Sequence, residues 1–105
     1  MMAAVLMAAE SDTCVPMLKA LADETRWRIV RELLKQPLTV GELTERLAVT
    51  QYNVSKHLRI LREAGIVEAE KEGKHLHCEV AESFRKKLSR NHSLLDLGCC
   101  SFKFE

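Results

Sequence analysis

Apolar residues along the chain fall into a helical rhythm, then a strand rhythm, then a helical one again. From Pro16, a residue suited to a first helical turn, Leu18, Leu21, Ala22, Ile29, Val30, Leu33 and Leu34 recur at helical spacing. Asp23 is placed to cap a second helix over Asp23 to Lys35, which ends at Gln36-Pro37 because the residue before proline is driven out of the helical region. Thr39-Val40-Gly41-Glu42 has the form of a capping box, with hydroxyl and carboxylate each satisfying an orphan amide, and Val40, Leu43 and Leu47 line one face. This predicts a short helix over about Val40 to Leu47. Thr50 offers the next cap, and Val54, Leu58 and Leu61 lie on one stripe of a helix that stops at Gly65.

The period then shortens to two. Val67 and Ala69 alternate with Glu68 and Glu70, Lys71-Glu72-Gly73-Lys74 turns the chain, and Leu76, Cys78 and Val80 alternate with His75, His77 and Glu79 on the return. The pattern predicts a β-hairpin with one buried face. Ala81, Phe84 and Leu88 resume a helical stripe. Leu94, Leu95 and Leu97 leave an apolar patch that a domain this small is expected to cover with a second subunit, the first helix being its partner surface.

The predicted fold class is mainly α with a β-hairpin wing: a dimeric winged helix-turn-helix, residues 1–105 forming a single domain. With 47% hydrophobic, 5% aromatic and 30% charged residues the chain has the composition of a folded helical protein. Lys and Arg number 16 against 15 Asp and Glu, so a polyanion partner must be argued from local charge rather than net charge. Met1 to Ala9 is apolar, yet it has no basic leader and is shorter than the roughly 20 residues a spanning helix needs. It reads as a helix or frayed arm of a cytoplasmic protein with no membrane partner. Four cysteines in such a protein are expected to be reduced, and to serve metal, metalloid or redox chemistry rather than a disulfide framework.

The second short helix is the one shaped to enter a major groove, and its exposed face reads Gln51, Tyr52, Asn53, Ser55, Lys56, His57 and Arg59. Gln and Asn pair bidentately with adenine, Lys and Arg reach guanine or phosphate, and the amides of a first helical turn favour a phosphate. Lys71 and Lys74 at the hairpin tip are in reach of the backbone beside the groove. Taken alone, such a polar face is more readily a solvated one; the capped helix before it and the wing after it turn the reading to double-stranded DNA. For Tyr52 the alternative is packing on the hairpin, and for His57 a neutral ring facing solvent.

Three segments, Leu18-Lys19-Ala20-Leu21-Ala22-Asp23-Glu24-Thr25-Arg26, Thr39-Val40-Gly41-Glu42-Leu43 and Val54 through Val67, resemble the arsenic- and metal-sensing ArsR/SmtB repressors over about residues 16–90. The resemblance implies a homodimer joined through its first and last helices. It also implies one recognition helix per half of an inverted repeat, an operator near the regulator's own gene, and induction by a small ligand.

The family's sensing sites transfer only in part. The Cys-x-Cys pair that many arsenic sensors carry on the helix before the recognition helix is missing from Val40 to Leu47, and Glu82 with His92 is too little for the zinc site of the last helix. There remain the vicinal Cys99 and Cys100, like those some members keep near the C-terminus, with Cys14 as a third sulfur; Cys78 is pointed inward by strand alternation. Adjacent thiols suit a soft ion, and trivalent arsenic or antimony is content with two or three sulfurs where zinc wants four ligands. No cofactor is required on this reading, the metalloid or another thiophilic ion being an effector. Against it, Cys99 and Cys100 can be small apolar residues packed in the tail, and His75 and His77 solvent-facing. A redox or persulfide sensor linking Cys14 to the tail pair, or an organic effector with incidental cysteines, shares the fold. Catalysis has no support: there is no phosphate-cradling glycine loop and no nucleophile motif, and the histidines are scattered over hairpin, recognition helix and tail.

Overall fold

The computed structural model describes residues 14–88, 94–98 and 100–103. A helix through residues 14–21 (α1) leads into α2 (Glu24–Lys35), β1 (Leu38–Thr39), α3 (Val40–Leu47) and α4 (Gln51–Glu63). The hairpin β2 (Val67–Glu72) and β3 (His75–Val80) follows, then α5 (Glu82–Arg85) and a second hairpin of β4 (Leu94–Asp96) and β5 (Ser101–Lys103). No helix among the described residues is long and apolar enough to cross a membrane.

Local chemistry sets most of these limits. Asp23, extended at φ −140°, accepts the Arg26 amide and starts α2, and Gln36 before Pro37 is extended at φ −169° and stops it. Both halves of the capping box are formed: Thr39 Oγ1 accepts from the Glu42 amide at 3.1 Å, and Glu42 Oε1 accepts from the Thr39 amide at 2.9 Å. Ala48 closes α3 in the left-handed conformation at φ 54°, its amide donating to the Thr44 carbonyl, and so makes the sharp bend into α4. Gly73, at φ 63°, occupies the first position of the two-residue turn between Glu72 and His75, where a side chain would be strained.

The wing is a three-stranded antiparallel sheet in the order β1-β3-β2, because Leu38 pairs with Cys78 and Thr39 with His77 along the free edge of β3. Within the hairpin Val67 faces Val80 and Glu72 faces His75. Ile29 and Leu33 of α2, Leu43 of α3, Val54, Leu58 and Leu61 of α4, Cys78 and Val80 of β3 and Phe84 form one buried core. The predicted inward face of the hairpin is thereby observed.

The C-terminal segment departs from the sequence reading. The stripe through Ala81, Phe84 and Leu88 supports only the four helical residues of α5, and Leu88 then bridges Leu95. The leucines expected to form a patch covered by a second subunit lie on the β4–β5 hairpin, in register Leu95 with Phe102 and Asp96 with Ser101. Leu95 and Leu97 are 0% and 8% exposed within the chain's own core, and only Leu94, 42% exposed, stays outside. Gly98 at φ 93° takes the turn that no helix could make, and Asp96 Oδ1 accepts its amide at 2.9 Å. The hairpin docks where Phe102 meets Trp27 of α2 edge-on at 6.5 Å between ring centroids.

Candidate nucleic-acid interface

α4 is held by one face and presents the other. Thr50 Oγ1 accepts the Asn53 amide at 3.2 Å and fixes the start of the helix, while Val54, Leu58 and Leu61 anchor its buried stripe. Opposite them Gln51, Tyr52, Ser55, Lys56, Arg59 and Arg62 are exposed, and Asn53 is half-buried. Tyr52 is 77% exposed and so stands off the protein surface instead of packing on the hairpin. Arg59 Nε lies 3.3 Å from Glu63 Oε1 one turn on, an exposed pair worth only a few tenths of a kcal/mol, so the guanidinium is readily exchanged onto a phosphate.

His57 is the exception on this face. Its side chain is 14% exposed, with Nδ1 3.0 Å from Arg26 Nη1 and 3.9 Å from Asp23 Oδ2, so the ring sits at the junction of α4 with α2 instead of facing solvent. Burial first, then the Arg26 and Lys56 charges, push its pKa below the ordinary value, with Asp23 opposing. Asp23 in turn is held below the usual carboxylate range, chiefly by the Arg26 amide it caps. Sequence reasoning passed over Asp23 and Arg26 as functional residues; the signal available was their place at the start of α2, in the first segment of resemblance.

Lys71 and Lys74 are exposed at the wing tip, as the sequence predicts. The outer face below them is acidic: Glu68 lies directly across from Glu79, Glu70 from His77 and Glu72 from His75. Like charges in register repel, so only the tip is suited to approach a phosphate backbone. His77 Nε2 is 3.5 Å from Glu72 Oε2, and no cluster of three His, Cys, Asp or Glu among the described residues could hold a metal ion.

The sulfur atoms fall into two groups. Cys78 is fully buried, and burial pushes its thiol up to about 11, so it is an inert core residue. Cys14, buried at the start of the described part of α1, is disulfide-bonded, which differs from the expectation of four reduced thiols. Its Sγ sits 3.1 Å from the Leu97 carbonyl oxygen; a disulfide sulfur has no proton, so this is a packing contact that becomes a hydrogen bond only when Cys14 is a thiol. The Leu97 amide donates to the Cys100 carbonyl at 2.9 Å, folding the tail loop back beside α1, and Cys100 is a half-buried thiol. The expectations for Cys99 and His92 lie outside the described residues.

The arrangement can be compared with known proteins at this point. Residues 23–69 match the model of the bacterial regulatory protein, arsR family. The transcriptional activator HlyU of Vibrio cholerae is 45% identical over 62 residues, 59% of this chain and 57% of that protein. A solved structure described as reduced HlyU from Vibrio cholerae superposes with a TM-score of 0.70 at 38% identity, covering 73% of this chain and 81% of the other. A homodimeric winged helix-turn-helix DNA-binding domain from Mycobacterium bovis gives a TM-score of 0.68 at 27% identity over 73% of this chain and 71% of its own. The chain spans little more than half the length of the curated relatives it matches. These relatives are regulators of transcription and not enzymes. With the capped helix-turn-helix, the exposed face of α4 and the wing in place, the chain belongs to the ArsR family of DNA-binding transcriptional regulators.

Proposed function

We propose that the chain acts in the cytoplasm as a homodimeric repressor on an inverted-repeat operator, read by Gln51, Tyr52, Asn53, Ser55, Lys56 and Arg59 and flanked by Lys71 and Lys74. Repression belongs to the state in which Cys14 is a thiol, and release to the state in which it is joined to a tail cysteine. The observation that supports this is the seat of Cys14, buried, disulfide-bonded and packed on Leu97 of the tail loop. Cys78 and Cys100 are thiols, which leaves Cys99, outside the described residues, as the partner the proposal assigns. In the step, Cys14 and Cys99 lose two protons and two electrons to a low-molecular-weight disulfide, which leaves as two thiols. The solved relative described as reduced HlyU is in keeping with a regulator whose thiols change state.

A second reading uses the same corner. Trivalent arsenic or antimony, a small inorganic effector, would be held by Cys14, Cys99 and Cys100 once Cys14 is reduced, and the return of Cys100 beside α1 favours it. One experiment separates the two. Reduced protein on its operator is titrated with oxidised glutathione, and separately with arsenite under reducing conditions. Release by the disulfide, absent in Cys14→Ser, supports the redox reading; release by arsenite, absent in the Cys99→Ser, Cys100→Ser double variant, supports the metalloid. If neither agent releases DNA from the wild-type protein, both readings fail and an organic effector takes their place.

A further inference from the structure

One guanidinium joins three helices. Arg26, in the first turn of α2, donates through Nε to the Ala20 carbonyl at 2.6 Å and through Nη2 to the Lys19 carbonyl at 3.4 Å. Both carbonyls belong to the end of α1, where helix geometry leaves the last acceptors without partners of their own. The remaining nitrogen, Nη1, lies 3.0 Å from Nδ1 of His57 on α4. The backbone of the same residue is fixed as well, its amide donating to Asp23 Oδ2 at 3.0 Å. A guanidinium is planar and its donors point in set directions, so the end of α1 and the ring of His57 can be served together in only one relative placement.

Cys14, at the start of the described part of α1, is seated on Leu97. The tail also reaches α2 at Trp27, next to Arg26, through Phe102. The recognition helix is therefore tied through His57 to the same side chain that closes the helix bearing the sulfur.

We propose that Arg26 is a positioning residue for DNA recognition: it sets the seat of α4 through His57 and ties that seat to the end of α1. The role rests on the DNA reading of α4 above. When the guanidinium is removed, Nδ1 of His57 is left half-buried without its donor. An unsatisfied polar atom of that kind is costly, and α4 relieves it by turning from the seat that presents Gln51, Lys56 and Arg59 together.

The test is a double-mutant cycle on the full chain, by fluorescence anisotropy on an operator selected from random duplexes, with thermal unfolding of each variant recorded alongside. In the reduced protein, Arg26→Gln and His57→Phe should each weaken binding about tenfold, the cost of one lost partly buried hydrogen bond, and the double variant should be no weaker than either. His57→Gln, whose amide oxygen accepts from the guanidinium, should bind within about threefold of wild type. Additive losses, or a His57→Gln variant no better than His57→Phe, would overturn the positioning role. Should Arg26→Gln fail to fold, the His57→Gln and His57→Phe pair decides by the same criterion. A wild-type chain that binds no duplex would overturn the DNA reading of α4 on which the role rests, whereas the outcomes above overturn the role alone.

Discussion

Arg26 Nη1 lies 3.0 Å from His57 Nδ1, and because a guanidinium can only donate, the ring there is the neutral tautomer carrying its proton on Nε2. Protonating Nδ1 would replace that hydrogen bond with two like charges, with Lys56 adding to the repulsion and only Asp23, 3.9 Å away, in favour. Burial and these neighbours lower the pKa of His57 in the folded state, so the unfolded chain takes up its proton first as the pH falls. Stability contributed here is complete above the ordinary histidine value of 6.5 and is lost as the pH drops through it toward the lowered one. Urea unfolding from pH 8 to pH 5 should show a steeper decline for wild type than for His57→Gln. Parallel profiles would contradict it.

The DNA face makes a prediction in salt. Lys56→Ala and Arg59→Ala should each weaken operator binding and reduce the slope of log affinity against log salt by about one unit, the signature of a lost phosphate contact. Gln51→Ala and Asn53→Ala should instead relax base preference at about 1–3 kcal/mol per lost bidentate contact, with little change in slope. Binding titrations across a salt series separate the two classes. If all four variants bind as wild type does, α4 is not the reading helix.

The C-terminal hairpin makes a prediction in stability. With Leu95 fully buried within its own chain, Leu95→Ala should cost about 2–5 kcal/mol. The loss should not depend on protein concentration, because the cavity opens inside one subunit. A loss that disappears as concentration rises would mean that a second subunit covers this residue.

Cys78 should be the silent cysteine. Fully buried, with its thiol pushed up to about 11, it should escape iodoacetamide at pH 8 in native protein and react once the chain is unfolded in urea, as mass spectrometry of the peptides would show. Native labelling at the rate of a free thiol would contradict the burial.

The elements that were legible in the sequence are those fixed by local chemistry. Asp23, the Thr39–Glu42 box and Thr50 mark their helix starts within three residues, and Glu68 to Cys78 shows its alternation without reference to the rest of the chain. β1 was not legible, because two residues carry no period and Leu38 and Thr39 become a strand only by pairing with Cys78 and His77 some forty positions on. The leucines at 94, 95 and 97 fit either period, and what decides for a strand is Gly98 and the pairing with Phe102. His57 followed the polar stripe of its helix in sequence but is drawn inward by Arg26, 31 positions away, a distance no window of periodicity covers. The carboxylates of the wing were in plain view as residues; that Glu68 and Glu79 stand in register needed the strand pairing.

The central claim is that the exposed face of α4 reads DNA as one half of a symmetric pair, and selection from randomised duplexes by the reduced chain tests it most directly. The account predicts enrichment of an inverted repeat whose half-sites are centred about one helical turn, roughly 10–10.5 base pairs, apart or a multiple of that. It also predicts that a Gln51→Ala, Asn53→Ala, Lys56→Ala, Arg59→Ala variant with wild-type thermal stability enriches nothing. Enrichment of the same repeat by that variant, or no enrichment by the wild-type chain at low salt, would contradict it.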